Sequence, residues 1–143
     1  MLTKTLKTNA DLMARLAHAL AYFDTTLAAL QGADLRPQVT TFTASDFGRT
    51  FSSNGDGTDH GWGAHHFVVG GAVKGRDIYG AFPVTGLGHA LDVGSGALLP
   101  TTSVDQYGAT LAKWFGVADS QLAQVFPNIG NFSRRDLGFM KAT

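Results

Sequence analysis

The sequence contains no cysteine, which excludes disulfide bonds, thiolate nucleophiles and cysteine-ligated zinc sites. This absence leaves the redox compartment open. Net charge is absent too, because eleven Lys and Arg residues balance eleven Asp and Glu residues. The basic residues are scattered, so the chain lacks the basic patch that binds a phosphate backbone. We therefore expect no nucleic-acid partner.

Long apolar runs are also missing. No stretch reaches the roughly 18 consecutive apolar residues needed to cross a bilayer, so we expect no membrane span. The N-terminal stretch MLTKTLKTNADL has lysines but no apolar run after them, so no signal peptide is predicted in this chain. With 143 residues, 44% of them hydrophobic, and no repeat or linker, residues 1–143 are predicted to form a single α/β domain.

An apolar pattern with helical spacing opens the chain. Between Thr8 and Gln31, large apolar residues recur at steps of three and four, which predicts a long amphipathic helix. The segment from Thr8 to Asp11 has the form of a capping box, and Gly32 can supply a left-handed residue at the end of the helix. The residues of the predicted apolar face are Leu12, Leu16, Leu20, Phe23, Leu27 and Leu30.

Short β-branched and aromatic runs follow. Residues 39–44 predict a strand that stops at Ser45 and Asp46, and residues 67–69 predict a second strand closed by two glycines. Ile78 and Tyr79 are a candidate third strand. Residues 80–100 combine glycines and prolines with little periodicity, which indicates an extended surface loop or hairpin.

The C-terminal part contains two further predicted helices. Ser103 to Gln106 is a capping box, and Gly116 is a stop signal, so a helix is predicted between them with Tyr107, Leu111, Trp114 and Phe115 on one side. A short helix is predicted over residues 120–126, before Pro127. The tail SRRDLGFMKAT is expected to be loosely held or to pair with a partner. The order of helix, strand, glycine-rich loop, strands and helices indicates an α/β layered fold, in which ligands bind beyond the carboxyl ends of the strands.

Residues 45–67 concentrate the side chains that can bind ligands. This segment holds three aspartates, three histidines, one arginine and five glycines. Carboxylates and imidazoles together suit a divalent metal, and zinc, manganese, iron and calcium all stay open. The predicted metal ligands are Asp46, Asp59, His60, His65 and His66. Their spacing matches no compact ligand signature, and an EF-hand is rejected because glycine and glutamate are missing at the required positions.

Each of these residues also has a structural interpretation. Asp46 can cap a turn at Phe47 and Gly48, and His60 can be a turn histidine bonded to a carbonyl. His65 and His66 are adjacent, so in a strand they would point to opposite faces and at most one could reach a shared centre. Arg49 can hold a phosphate or sulfate oxygen, or pair with the nearby aspartates.

Other catalytic arrangements are not supported. No serine or threonine near the histidines has the context of a nucleophile elbow. The glycine pairs at 86–88 and 94–96 follow no convincing strand and open no capped helix, so no nucleotide site is predicted. A nucleophile is therefore not visible in the sequence.

The segments VTTFTASDFGRTFSSNGDGTDHGWGAHHFVVGGAVKG, IYG and LLPTTSVDQYGATLAKWFGV resemble the C-terminal part of the bacterial domain-of-unknown-function family DUF1501. That family is regarded as a distant relative of sulfatases and alkaline phosphatases. The resemblance covers about residues 10–132 and implies the C-terminal portion of an alkaline-phosphatase-like layered fold. Residues 43–48 resemble a superfamily motif whose Asp and His bind a metal. His60, or else His65 or His66, resembles a later metal-binding histidine.

Two departures from the superfamily pattern matter. Phe47 stands where the usual metal-binding histidine would be, so one metal site is altered or missing. The nucleophile and the first metal-binding aspartates of the superfamily belong to an N-terminal half that these residues do not match. The resemblance therefore implies a partial hydrolase site for small anionic phosphate or sulfate esters, with Asp46 and His60 as metal ligands and Arg49 as a catalytic oxyanion contact.

The resemblance implies three further properties. This chain alone should be inactive, exposed sheet edges would favour a homo-oligomer, and full-length relatives would be exported to the periplasm or outside the cell by the twin-arginine route. The rival hypothesis is a noncatalytic binding or structural module whose Asp and His residues only hold their own loop together. Convergence of Asp46 and His60 would favour the hydrolase.

Overall fold

The computed structural model describes residues 2–142, with side chains from residue 8 onward. The described chain is a mixed fold of helices and short strands, as predicted. Its helices are α1 (Leu2–Ala28), α2 (Val104–Phe115) and α3 (Leu122–Val125), and its strands are β1 (Thr40–Phe42), β2 (Gly48–Ser53), β3 (Thr58–Gly61) and β4 (Val68–Gly70). Strand β1 pairs with β4 and β2 pairs with β3. No helix among these residues is long and apolar enough to span a bilayer.

The described residues form two compact units. One comprises the residues up to Thr41 together with Gly70–Ala72, and the other comprises Phe42–Val69 and the residues from Val73 onward. The single-domain organisation expected from the sequence stays a prediction.

Helix α1 differs from its prediction at both ends and on its apolar face. It already includes Leu2 and runs through Thr8, so the predicted capping box at Thr8 is wrong. It ends at Ala28, and a 3-10 turn over Leu30–Gly32 with left-handed Gln31 and Gly32 follows. Of the predicted apolar face, Leu27 is buried, Leu20 is partly buried, and the other four residues are exposed.

Short-range polar contacts hold the rest of the first unit. The Arg36 side chain donates to both carboxylate oxygens of Asp34, at 2.9 and 2.8 Å. The Gly71 amide donates to the Arg36 carbonyl at 2.9 Å. A Cβ on Gly71 would lie 2.7 Å from backbone atoms of Arg36 and Pro37, so this position requires glycine.

The predicted strands are only partly confirmed. Strands β1 and β4 lie within or next to the predicted runs, but Ile78 and Tyr79 form no strand. Instead, the Tyr79 hydroxyl donates to the Lys74 carbonyl, and Ile78 is 66% exposed. Within the predicted glycine-rich loop, residues 48–61 form an antiparallel hairpin of β2 and β3. The loop interpretation missed this hairpin because glycines and polar residues hide its alternation.

Helix α2 begins and ends as predicted. The Ser103 side chain accepts from the Asp105 amide and the Gln106 side chain accepts from the Ser103 amide, which completes the capping box. Gly116 has φ 107°, and its amide donates to the carbonyls of Ala112 and Lys113. Of the four residues predicted on one side of this helix, Phe115 is 83% exposed and the other three are partly buried.

The core of the second unit lies where α2, α3 and the following turn meet. Ala109, Leu122 and Ile129 are buried together, with Ala112, Val117, Phe126 and Phe132 packed around them. The predicted helix over residues 120–126 is confirmed as a 3-10 turn followed by α3, and it ends before Pro127.

The C-terminal tail is not loosely held, contrary to the prediction. Leu137 and Phe139 are 4% and 3% exposed. The Leu137 amide donates to Thr110 Oγ1 at 2.8 Å, and the Phe139 carbonyl accepts from the Lys74 amide at 2.8 Å. Two buried side chains and backbone hydrogen bonds to Thr110 and Lys74 therefore hold the tail.

Residues 86–99 form a tight turn, in agreement with the predicted loop or hairpin. Asp92 and Leu98 form an antiparallel bridge. The carbonyls of Ser95 and Gly96 accept the amides of Ser52 and Phe51. Two backbone hydrogen bonds therefore join this turn to β2.

Candidate functional site

The β2–β3 hairpin carries most of the residues predicted to bind ligands. Arg49 lies opposite His60 and Ser53 lies opposite Thr58, with an irregular register between these pairs. In the turn, Asn54 Oδ1 accepts the amides of Asp56 and Gly57, at 3.2 and 2.8 Å. Local hydrogen bonds therefore fix the hairpin without a large apolar core.

The glycines at the base of the hairpin allow close backbone approach. A Cβ on Gly48 would lie 1.8 Å from the Gly63 carbonyl oxygen, and a Cβ on Gly63 would lie 2.9 Å from the Leu98 carbonyl oxygen. Neither contact leaves room for a side chain. Gly48 and Gly63 therefore serve close packing between backbones, whereas Gly55 and Gly57 in the turn have open space around them.

Arg49, His60 and Phe47 form one cluster. Opposite residues of an antiparallel pair project from the same face, so Arg49 and His60 are side by side. The rings of Phe47 and His60 stack with centroids 3.9 Å apart and 12° between their planes. The Arg49 guanidinium carbon is 5.0 Å from the Phe47 ring centroid, within the range of a cation–π contact.

Only one nitrogen of the Arg49 guanidinium forms a hydrogen bond with a described residue. Its Nη1 donates to the Thr58 carbonyl at 2.8 Å, and it forms no ion pair with an aspartate among the described residues. The other guanidinium N–H groups have no protein partner in the described part of the chain. Arg49 is thus an exposed, partly anchored donor.

The two predicted aspartate ligands have different surroundings. Asp59 Oδ1 accepts from Asn54 Nδ2 at 2.7 Å. Asp46 is exposed and forms no hydrogen bond with any other described residue. The turn at Phe47 is capped by Ser45, whose hydroxyl donates to the Phe47 carbonyl at 2.9 Å. The capping role considered for Asp46 is therefore wrong.

The adjacent histidines have separate partners. His65 stacks on Phe82, with ring centroids 4.7 Å apart, and His66 stacks on Tyr107, with centroids 5.6 Å apart. They precede β4 instead of lying in it, but their rings still separate to different partners. The aromatic partners were not predicted, because nothing in the sequence brings residues 82 and 107 to this segment.

His66 belongs to a connected set of contacts that sequence reasoning missed. Its Nδ1 is 3.2 Å from Thr43 Oγ1, and the Tyr107 hydroxyl donates to the Thr43 carbonyl at 3.1 Å. Burial raises the pKa of Tyr107. The only sequence signal for Thr43 is its place directly after β1.

These residues do not form a complete metal site. Residues 2–142 contain no group of three or more His, Asp or Glu side chains placed to hold a metal ion. One Asp59 oxygen is taken by Asn54, and three histidine rings stack on three different aromatic rings. The residues present therefore do not fit a metal bound by this chain alone.

Comparison with known proteins identifies the family. Residues 3–126 match the family described as protein of unknown function (DUF1501). The chain belongs to the DUF1501 family. No curated protein and no solved structure matches it. The DUF1501 match includes the hairpin, α2 and α3, whereas Ile129, Leu137 and Phe139 lie beyond it.

Proposed function

We propose that the β2–β3 hairpin binds the anionic group of a phosphate or sulfate ester, with Arg49 and His60 as its contacts. The supporting observation is the pairing of these two side chains on one face, next to the Phe47 ring. A guanidinium already anchored on Thr58 loses less freedom when it binds a ligand. Its remaining N–H groups suit the oxygens of phosphate or sulfate.

In this proposal, the chain is the C-terminal portion of a sulfatase- or phosphatase-related hydrolase with an alkaline-phosphatase-like layered fold. The order of helix, strand, hairpin, strand and helices supports that fold, and membership of DUF1501 supports the family resemblance from which it comes. Arg49 would contact the ester oxygens in the ground state and the transition state. The chain alone would bind esters of this class and hydrolyse none.

A divalent metal enters this proposal only with ligands from outside these residues. Asp46, exposed and without a hydrogen-bond partner in the described chain, is the carboxylate best placed to join such a site. Asp59, His60, His65 and His66 would first have to leave their present hydrogen-bond or ring partners. When bound, zinc, manganese, iron or calcium would act as a Lewis acid toward an ester oxygen.

A noncatalytic binding module is the second candidate. The separate stacking of the three histidines favours it, because each ring is already used in packing. Both candidates share the anion contact at Arg49. They differ in whether added metal and further polypeptide supplying the nucleophile produce turnover.

Two further properties belong to the same proposal, namely export of the full-length relatives and self-association of this chain. Export by the twin-arginine route to the periplasm or beyond rests on the family resemblance. Self-association rests on the two-stranded sheets, since unpaired strand edges can accept another strand.

The test measures binding of p-nitrophenyl phosphate and p-nitrophenyl sulfate to the 143-residue chain by NMR chemical-shift titration. We expect saturable shifts centred on Arg49 and His60. Arg49→Ala should weaken binding by about tenfold or more, the loss of one charge-assisted contact. Arg49→Lys should bind with intermediate affinity, because lysine cannot form the bidentate contact. Arg135→Ala, at an exposed arginine in the tail, is the matched control.

The same samples report on hydrolysis through release of p-nitrophenol, with and without added zinc or manganese. We expect none from this chain. Equal binding by wild type and Arg49→Ala would overturn the anion contact. Steady turnover that depends on added metal would overturn the statement that the chain alone does not hydrolyse phosphate or sulfate esters.

A further inference from the structure

Thr43 and His66 lie within hydrogen-bonding distance of each other, and neither residue has a role in the anion-binding proposal. Thr43 Oγ1 is 3.2 Å from His66 Nδ1, which is within the range typical of a nucleophile and its general base. Thr43 follows the last residue of β1, and His66 lies two residues before β4. The pair therefore sits at the ends of two hydrogen-bonded strands.

The Thr43 hydroxyl can donate to His66 when Nδ1 of the imidazole carries no proton. Thr43 Oγ1 already accepts the Phe67 amide at 2.8 Å. A hydroxyl has one proton to donate, and His66 Nδ1 is the nearby acceptor. With Thr43 donating, the imidazole proton is on Nε2, and His66 is exposed.

Tyr107 also holds the Thr43–His66 pair in place. The Tyr107 ring stacks on His66 at 21° between planes, and the Tyr107 hydroxyl donates to the Thr43 carbonyl. One residue of α2 therefore contacts both members of the pair. Tyr107 is a positioning residue, because it touches neither the hydroxyl oxygen nor the imidazole nitrogens in these contacts.

We propose that Thr43 and His66 form a nucleophile and general-base pair that takes an acyl group from neutral carboxylic esters with a good leaving group. The Thr43 oxygen attacks the ester carbonyl carbon while its proton passes to His66 Nδ1. The bond from that carbon to the leaving oxygen breaks, and this oxygen takes the proton from His66 and departs as an alcohol or phenol. A water molecule then gives a proton to His66 Nδ1 and attacks the acyl carbon. The bond to the Thr43 oxygen breaks, and His66 returns the proton to that oxygen as the carboxylic acid leaves.

A neutral ester suits this pair better than a charged one. The hydrogen bonds and ring contacts of Thr43 and His66 involve no cation among the described residues. A carboxylic ester needs no charged contact for binding, whereas a phosphate or sulfate ester does. This activity is separate from the anion contact at Arg49 and does not depend on it.

The test is reaction of the 143-residue chain with p-nitrophenyl acetate. Absorbance measures the release of p-nitrophenolate, and peptide mass mapping locates the acetyl group. We expect one acetyl group on Thr43. Thr43→Ser keeps a hydroxyl and should still be labelled at this position, whereas Thr43→Val should not. His66→Gln should slow labelling of Thr43 by about 100-fold or more, the usual contribution of a general base.

Three controls show whether the labelling depends on this pair and on a folded chain. His65→Gln changes the neighbouring exposed histidine and should leave labelling unchanged. Arg135→Ala, at an exposed arginine in the tail, should also leave it unchanged. Circular dichroism establishes that each variant is folded. Acetylation confined to His66 or to lysines, or labelling of Thr43 at the same rate in His66→Gln, would overturn the proposal.

Discussion

The helical core around Ile129 and the β2–β3 hairpin belong to the same unit but are held by different interactions. Around Ile129, apolar side chains from α2, α3 and the following turn bury one another. In the hairpin, Arg49, Asp59 and His60 are exposed, and hydrogen bonds and ring contacts fix their positions. The stability of the core therefore depends on close packing of apolar side chains. The candidate site instead depends on polar and aromatic contacts that are exposed to solvent.

The largest loss of stability should follow removal of a side chain from the helical core. Ile129 is 1% exposed, so Ile129→Ala removes buried methyl groups and leaves a cavity. We expect the free energy of unfolding to fall by about 2–5 kcal/mol, measured by urea denaturation. The matched control is Ile78→Ala, at an isoleucine that is 66% exposed. A loss at Ile78 as large as that at Ile129 would remove the distinction between core and surface.

The core was partly predictable because its signals are local. Ser103, Gln106 and Gly116 mark the ends of α2 in the sequence, and the structure confirms all three roles. The docking of Leu137 and Phe139 was not predictable, because it depends on Thr110 Oγ1 meeting a backbone amide 27 residues away. The exposed face of α1 shows the opposite case, in which helical periodicity is present but burial does not follow.

A smaller loss of stability is expected in the hairpin. Phe47→Ala removes the ring that contacts both His60 and Arg49. We expect a loss of about 0.5–1.5 kcal/mol, together with changed NMR shifts of both partners. The control is Phe67→Ala, at an exposed phenylalanine with no ring partner in the described chain. If the Phe67 variant loses as much stability and also shifts His60, the Phe47 cluster is not a local unit.

The candidate site could be located from the sequence but its contacts could not. The density of Asp, His, Arg and Gly singles out residues 45–67 in the sequence, and Arg49 and His60 lie opposite each other there in the structure. The pairing of Arg49 with His60 requires a hairpin register, which glycine-rich sequence does not reveal. The Thr43 and His66 contact requires two strands far apart in sequence to pair, together with a tyrosine from α2.

The smallest effect should come from the turn over residues 86–99, which is hydrogen-bonded to β2. The Asp92 carboxylate accepts the amides of Gly88, Gly94 and Gly96, at 2.7, 2.9 and 2.9 Å. These hydrogen bonds, led by the one from Gly88, hold the pKa of Asp92 below its usual value. A carboxylate with a lowered pKa in the folded state stabilises the fold above its unfolded pKa, and this contribution is lost as pH falls through the folded value.

Acid should therefore affect the hairpin edge before the helical core. Between about pH 5 and pH 2, wild type should lose stability more steeply than Asp92→Asn, which has no charge to lose. Asp56→Asn is the control, since the Asp56 side chain has no hydrogen-bond partner in the described chain. Because the Gly96 and Ser95 carbonyls accept the Phe51 and Ser52 amides, hydrogen exchange at those two amides should rise first. Parallel stability curves for wild type and Asp92→Asn would show that this carboxylate does not link the turn to the sheet.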